Sequence, residues 1–189
     1  MHQNLQSAAD VLQLIRSRDW MLQALRAVAG LGLPDWWIGA GFVRNPVWDH
    51  LHGYAEPKPL ADIDVLYFDA ADLGRARETA AEAALRQQLP DLPWSVKNQA
   101  RMHLRNGDPP YLSTVDAMRY WLETPTAVSV TLDPAGELRL AAPFGLDDLL
   151  AMRIAPTPHA RANRPAAYRE RLAGKDWAQR WPQAEIVRL

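Results

Sequence analysis

Residues 36–69 read WWIGAGFVRNPVWDHLHGYAEPKPLADIDVLYFD, and this stretch decides the fold. Its apolar residues predict a strand at 36–38, and its three small residues at 39–41 predict a tight turn. A helix of about three turns is predicted at 42–52, because a glycine follows that ends it. A second strand is predicted at 63–68.

Two carboxylates, Asp62 and Asp64, flank an isoleucine at the start of the second strand. Side chains alternate between the faces of a strand, so both carboxylates share one face while Ile63 and Val65 turn into a core. In proteins, Mg²⁺ is bound by one or two carboxylates together with substrate phosphates. The pair therefore predicts a Mg²⁺ site, with Mn²⁺ as a substitute; the alternative is an edge strand that shows alternate polar residues to water.

The turn at Gly39, Ala40 and Gly41 lies directly before the N-terminus of the predicted helix. Backbone N–H groups at that end of a helix bind phosphate oxygens, and small residues let a phosphate approach. Arg44 and Asn45 follow in the first helical turn, although the helix dipole favours acidic residues there. These five residues are predicted to bind a nucleotide; the alternative is an ordinary strand-to-helix turn.

A third strand is predicted at 94–98, with a continuation to 104. It carries a polar run: Lys97, Asn98, Gln99, Arg101 and His103. If the strand continues, Lys97, Gln99 and Arg101 share one side and form a clamp for a triphosphate, with Asn98 beside them. The alternative is a solvated strand face.

The rest of the chain predicts helices, one hairpin and a less regular C-terminal part. Helices are predicted at 7–29 with an interruption at 17–19, at 73–89 with Asp72 as N-cap, at 114–121 and at 146–152. The hairpin pairs 127–132 with 138–141. From Pro156 the chain is predicted to be irregular, with short helices at 166–172 and 175–181. These elements together indicate an α+β fold.

Charge and composition narrow the class of protein. The 189 residues carry a net charge of −1, yet residues 153–189 hold eight Lys or Arg against three Asp or Glu, a local charge of +5. Because the chain has no cysteine, disulfides, zinc–thiolate sites and thiol nucleophiles are excluded.

No secretory leader and no long apolar run are present, which predicts a soluble, cytoplasmic protein without a membrane partner. Eight tryptophans spread along the chain favour core packing over a base-stacking surface.

Several blocks together resemble a bacterial family of uncharacterised nucleotidyltransferases, in the superfamily with the DNA polymerase β-like fold. The blocks are AGFVRNPVWD (40–49), LADIDVLYFD (60–69), WSVKNQARMH (94–103), TVDAMRYWLETPTAV (114–128) and APFGLDDLLAMRIAPTP (142–158). The resemblance implies a mixed sheet flanked by helices, with the small-residue turn against the triphosphate and Asp62 and Asp64 on Mg²⁺. It implies transfer of an NMP from an NTP to the hydroxyl or phosphate of a small-molecule, protein or RNA acceptor.

Two departures from the superfamily pattern concern the chemistry. The turn has Ala40 and Gly41 where a serine usually contacts phosphate. The strand at 94–98 has no third carboxylate to activate the attacking hydroxyl, and Glu123 or Asp116 is the candidate to supply it from elsewhere. Three functions therefore stand side by side: a transferase with Asp62, Asp64 and Glu123 as its catalytic carboxylates, a catalytically degenerate nucleotide- or RNA-binding protein, and a partner-binding protein.

The chain is expected to form one nucleotidyltransferase-like domain at 1–158, which includes the N-terminal helices, with a basic arm at 159–189 packed on it. The arm carries four arginines that could guide an anionic acceptor or form a solvated surface: Arg161, Arg164, Arg169 and Arg171.

Overall fold

A computed structural model describes residues 5–56 and 58–189. The strands are β1 Trp37–Gly39, β2 Ile63–Tyr67, β3 Trp94–Asn98, β4 Ser129–Leu132, β5 Leu138–Ala141, β6 Arg153–Ile154 and β7 Glu185–Ile186. The helices are α1 Ala8–Arg16, α2 Asp19–Ala29, α3 Gly41–Leu51, α4 Ala76–Gln88, α5 Met102–Asn106, α6 Thr114–Met118, α7 Asp147–Leu150, α8 Pro158–Asn163, α9 Pro165–Ala173 and α10 Trp177–Arg180. Short 3₁₀ turns lie at Gln99–Arg101 and Thr124–Thr126.

Within the described residues, five strands form one mixed sheet in the order β3-β2-β1-β4-β5. Strand β1 is antiparallel to both β2 and β4, and β3 runs parallel to β2. Ile38, in the middle of β1, pairs with Val65 on one side and Val130 on the other. This register brings Gly39, the last residue of β1, opposite Asp64 in β2. The small-residue turn and the carboxylate pair therefore meet at one end of the sheet.

Helix α3 packs into the main apolar core through Phe42, Val43, Val47 and Trp48, all fully buried. The Trp48 indole N–H donates to the carbonyl of Leu149 at 2.8 Å, which satisfies its polar atom inside the core. The C-terminal part closes the same core. Trp181 stacks edge-on against Trp48 with ring centroids 5.1 Å apart, and its indole N–H donates to Asp49 Oδ1 at 2.8 Å.

Most sequence-based expectations for the fold are confirmed. The α+β class, the strand–turn–helix–strand unit, the strand at 94–98 and the hairpin are present with bounds shifted by one or two residues. The N-terminal helix is interrupted where expected, between α1 and α2. Tryptophan serves mainly the core: the four buried members are Trp48, Trp94, Trp177 and Trp181.

Three local predictions are wrong. The third strand does not continue to 104, because the Asn98 side chain accepts from the N–H of Ala100 at 3.0 Å and starts a 3₁₀ turn. Asp72 does not cap α4, which begins at Ala76; its carboxylate instead accepts from the N–H of Gly74 at 2.9 Å. The chain after Pro156 is also more regular than expected, because the Thr157 side chain caps α8 by accepting from Ala160 N at 3.0 Å.

Candidate active site

The turn between β1 and α3 is tightly enclosed and strained. A Cβ at Gly39 would lie 3.1 Å from Cδ1 of Leu66 and 3.3 Å from Cη2 of Trp121, so any larger residue there would press on both side chains. Ala40 has φ 55° and ψ −122°, a conformation that costs a residue with a Cβ about 1–3 kcal/mol. Its N–H donates to the carbonyl of Val128 in the neighbouring segment at 3.0 Å. The sheet thus holds the turn in a shape that a relaxed chain would avoid.

The carboxylate pair stands beside this turn. Asp62 is exposed just before β2, and Asp64 is half-buried within it. Burial, followed by the negative charge of Asp62, raises the pKa of Asp64 to about 6, while the cations of Arg171 and Arg44 oppose the rise. Because the negative charge of one acid disfavours ionisation of the other, a bound cation would be stabilised beside this pair.

A cleft with two lobes opens at this point, and both lobes are lined by Ala40, Asp64 and Arg171. We call the first, of about 310 Å³, the aromatic lobe; its further lining includes Leu66, Gln99, Met102, Asn106, Tyr120 and Trp121. We call the second, of about 500 Å³, the basic lobe; its further lining includes Gly41, Arg44, Asp62, Arg105, Lys175 and Arg180.

Arg44 is buried in the wall of the basic lobe. It donates from Nη1 to Thr126 Oγ1 at 2.7 Å and from Nη2 to Asn45 Oδ1 at 2.9 Å. Its guanidinium also lies over three indole rings, 5.1–5.7 Å from their centroids: Trp48, Trp177 and Trp181. Burial lowers the pKa of Arg44 to about 10, so it stays charged at neutral pH. The arginine that opposes the helix dipole is therefore a buried anchor of the turn as well as a charge in the cleft.

Glu123, one of the two candidates for a third carboxylate, lies in the cleft. It is only 1% exposed, lines the aromatic lobe and forms an ion pair with Arg171 Nε. Its backbone pairs with Pro156, which fixes the segment against the C-terminal part. Asp116, the other candidate, is not brought to the cleft; its carboxylate accepts from the N–H of Leu112 at 3.0 Å in the first turn of α6. Over residues 5–56 and 58–189, no group of three or more His, Cys, Asp or Glu is arranged to hold a metal ion.

The proposed triphosphate clamp is only partly assembled. Lys97 and Gln99 line the aromatic lobe, although the Lys97 ammonium also pairs with Glu82 at 3.1 Å. Arg101 does not join them, because its guanidinium is bound to the buried carboxylate of Glu78 on α4.

Asn98 is fully buried and has a structural role. Its amide nitrogen donates to the carbonyls of Asp69 and Asp72, both at 2.8 Å, and its oxygen accepts from the N–H of Asp69 at 3.0 Å. These bonds tie the loop after β2 to the end of β3.

The arginines of the C-terminal part divide into two groups. Arg164 and Arg171 line the aromatic lobe, whereas Arg161 is exposed on α8 and Arg169 donates to the carbonyl of Leu189 at 3.1 Å. Only the first group is placed to meet a ligand in the cleft.

Some cleft residues carried no signal in the sequence. Thr126, which holds Arg44, sits 82 residues further along the chain, and no local pattern links the two. Tyr120, Lys175 and Arg180 also reach the cleft from segments whose packing only the tertiary structure defines.

Comparison with known proteins identifies the family of this chain. A family model described as nucleotidyltransferase matches residues 26–186. The chain belongs to this nucleotidyltransferase family. No curated protein matches it. Across the described residues, no helix of this nucleotidyltransferase is long and apolar enough to cross a membrane.

Solved structures show the same fold. An NMR structure described as revealing a CCA-adding enzyme head domain is 32% identical, with a TM-score of 0.89 over 100% of both chains. The apo form of a tRNA-processing enzyme is 17% identical, with a TM-score of 0.52 over 87% of this chain and 45% of that one, and shows likeness of fold alone. The nucleotidyltransferase fold expected from the sequence is thus confirmed.

Proposed function

We propose that this nucleotidyltransferase binds an NTP with a divalent cation at Asp62 and Asp64 and transfers the NMP to an acceptor hydroxyl or phosphate. One observation carries the proposal: the carboxylate pair lies where the strained turn, the N-terminus of α3 and the cations of the basic lobe converge. Backbone N–H groups and cations attract phosphates. Two carboxylates repel phosphates unless a divalent cation binds both, and carboxylates together with phosphates are typical Mg²⁺ ligands.

The residues present fit a divalent cation. Asp62 and Asp64 both line the basic lobe, and the raised pKa of Asp64 reflects a negative charge that burial and its neighbour disfavour. A cation there would relieve that cost, and Mg²⁺ and Mn²⁺ both accept such oxygen ligands. When bound, the metal would neutralise phosphate charge as it builds up during transfer.

The basic lobe is assigned to the β- and γ-phosphates. Gly41 begins α3 and lines the basic lobe, so the backbone N–H groups at the helix N-terminus lie beside this lobe. Lys175 is exposed at the rim, and Arg171 lies at the junction of the lobes. These groups would orient the triphosphate and stabilise the departing pyrophosphate.

Glu123 is assigned the role of the base that activates the acceptor. The acceptor oxygen forms a bond to the α-phosphorus, the bond from that phosphorus to the bridging oxygen breaks, and pyrophosphate leaves. Glu123 takes the proton of the attacking hydroxyl. Arg171 is paired with Glu123 and also lines the basic lobe, so a triphosphate would compete for it and free the carboxylate.

A second candidate, nucleotide binding without transfer, is favoured by one observation. In the described part of the chain, Asp62 and Asp64 have no third acid or histidine close enough to complete a metal-holding group, and Glu123 is occupied by Arg171. Nucleotide binding without pyrophosphate release would support this candidate over the transferase.

The test is thermal unfolding with each of the four NTPs, with and without Mg²⁺, for the wild type and Asp64→Asn. Stabilisation that requires both the metal and Asp64 is expected, since a ligand that binds only the folded chain raises its melting temperature. Asp91→Asn, at an exposed acid in the turn before β3, is the matched control and should respond like the wild type. Equal shifts in wild type and Asp64→Asn, or no shift with any nucleotide, would overturn the proposal.

A further inference from the structure

The aromatic lobe differs in chemistry from the basic lobe, and its position indicates which of the two substrates binds there. In phosphoryl and nucleotidyl transfer the attacking and leaving oxygens lie roughly in line across the phosphorus. With pyrophosphate in the basic lobe and Asp64 at the junction, the attacking group enters from the aromatic lobe, where Glu123 also lies. This step rests on the proposed function.

The walls of the aromatic lobe suit a flat heterocycle. Leu66, Met102 and Trp121 contribute apolar surface, and its volume of about 310 Å³ is within the range of pockets for small molecules. Tyr120 supplies a ring at this wall. Stacking of a nucleobase on such a ring tolerates any base, because every base has a π-face.

The ring of Tyr120 is held from behind by two others. Its centroid lies 4.9 Å from Tyr111 and 4.9 Å from His159. Asp108, almost fully buried, fastens both neighbours: it accepts from the Tyr111 hydroxyl and lies 3.1 Å from Nε2 of His159. A ring fixed in advance loses little conformational entropy when a ligand stacks on it.

Two carboxamides give the lobe polar selectivity. Gln99, only 5% exposed, donates from Nε2 to the carbonyl of Lys97 at 3.1 Å. Asn106 donates from Nδ2 to the Tyr111 hydroxyl at 3.1 Å. Because each nitrogen is engaged with the protein, the amide oxygens are left to accept from a ligand. The exocyclic amino groups of adenine, cytosine and guanine are donors of that kind, whereas uracil has only the single N–H of its ring at N3.

Arg164 adds a positive charge at the lobe. It is half-buried between α8 and α9, and across residues 5–56 and 58–189 no ion pair of its side chain is present. A cation beside a ring platform matches a base joined to a phosphate.

We propose that the aromatic lobe is the acceptor subsite and takes a nucleotide unit, its amino-bearing base on Tyr120 and its phosphate at Arg164. The same unit occurs in a free nucleoside monophosphate and at the 3′ end of an RNA. Glu123 would accept the proton of its attacking hydroxyl.

The probes are AMP, CMP, GMP and UMP, titrated calorimetrically into the full chain without NTP. Saturable binding of AMP, CMP or GMP is expected, with UMP at least about fivefold weaker for lack of an amino group. Tyr120→Leu should weaken binding about tenfold, whereas Tyr120→Phe, which keeps the ring, should bind like the wild type. Arg164→Gln should weaken binding about tenfold, and Arg161→Gln, at the exposed arginine of α8, should not change it.

A second titration separates this subsite from the NTP site. With a non-hydrolysable NTP and Mg²⁺ already bound, the monophosphate should still bind, and Tyr120→Leu should leave NTP binding intact. A trinucleotide that ends in the preferred base tests the source: tighter binding than the monophosphate indicates an RNA end, and equal binding a free nucleotide. Three results would overturn the subsite while NTP binding stands. They are absence of monophosphate binding, competition between monophosphate and NTP, and equal affinities in wild type, Tyr120→Leu and Arg164→Gln. Loss of NTP binding alone would instead overturn the proposed function.

Discussion

The two lobes of the cleft meet at Asp64 but are built on opposite principles. The aromatic lobe is a platform of rings fixed by one another, with amide groups held by neighbours. The basic lobe is lined by cations, and these are not equivalent. Arg180 stacks on Trp181 at 4.4 Å and donates to the carbonyl of Lys58 at 3.2 Å, whereas Lys175 is exposed. The cations of this cleft therefore fall into two groups: those whose contacts stabilise the wall and those that are available to bind a ligand.

The largest effect expected from that division is on stability. Arg44→Met should lower the free energy of unfolding by about 2–4 kcal/mol, because it removes two buried hydrogen bonds of a charged group and leaves Thr126 without its donor. Lys175→Met, at an exposed cation of the same lobe, should change it by less than about 0.5 kcal/mol. Urea denaturation of both variants measures the difference. Similar losses in the two would show that the division between structural and available charge is mistaken.

A smaller effect concerns pH at the junction of the lobes. The pKa of Asp64 is raised in the folded chain from 3.8 to about 6, so its contribution to stability is fully present below about pH 4 and is lost as the pH rises through about 6. The loss amounts to about 1–3 kcal/mol. Asp64→Asn should lack it. Urea midpoints in metal-free buffer at about pH 4.5 and 7 give the comparison; the same pH response in both proteins would contradict the assignment.

The smallest effect is expected at the turn that both lobes share. Ala40→Gly should raise the free energy of unfolding by about 0.5–1 kcal/mol, because relief of the positive φ exceeds the added entropy of the unfolded chain. Thermal unfolding would detect it. Ala29→Gly, at the last residue of α2, is the control and should destabilise the chain by about 0.5–1 kcal/mol. Destabilisation by Ala40→Gly would mean that the methyl group matters more than the strain.

The centre of the fold could be predicted because its signals are local. Alternation predicts that Asp62 and Asp64 lie together, and both line the basic lobe; the small residues at 39–41 mark the turn before α3. The start of α8 was equally readable, since Thr157 followed by Pro158 is a typical helix N-terminus. The loop-like composition around it favours an irregular segment instead, and the chain follows the capping signal.

The cleft itself could not be predicted, because it is assembled from distant segments. Arg44 is enclosed by tryptophans more than 130 residues further along the chain, and Glu123 lines the same lobe as Asp64 from a segment whose backbone pairs with Pro156. Arg101 does not share a strand face with Lys97, because alternation applies only while a strand lasts and this strand ends at Asn98. Sequence periodicity therefore finds elements and faces, while the partners of a charged side chain depend on tertiary packing.

The central claim is that Asp62 and Asp64 bind a metal that links the carboxylates to phosphates in the basic lobe. A crystal structure with Mn²⁺ and a non-hydrolysable NTP tests it most directly, because the anomalous signal of manganese locates the metal without reference to the protein. We expect a manganese peak at these two carboxylates, with the β- and γ-phosphates in the basic lobe near Gly41 and Lys175. A triphosphate in the aromatic lobe, or manganese bound away from both aspartates, would contradict it.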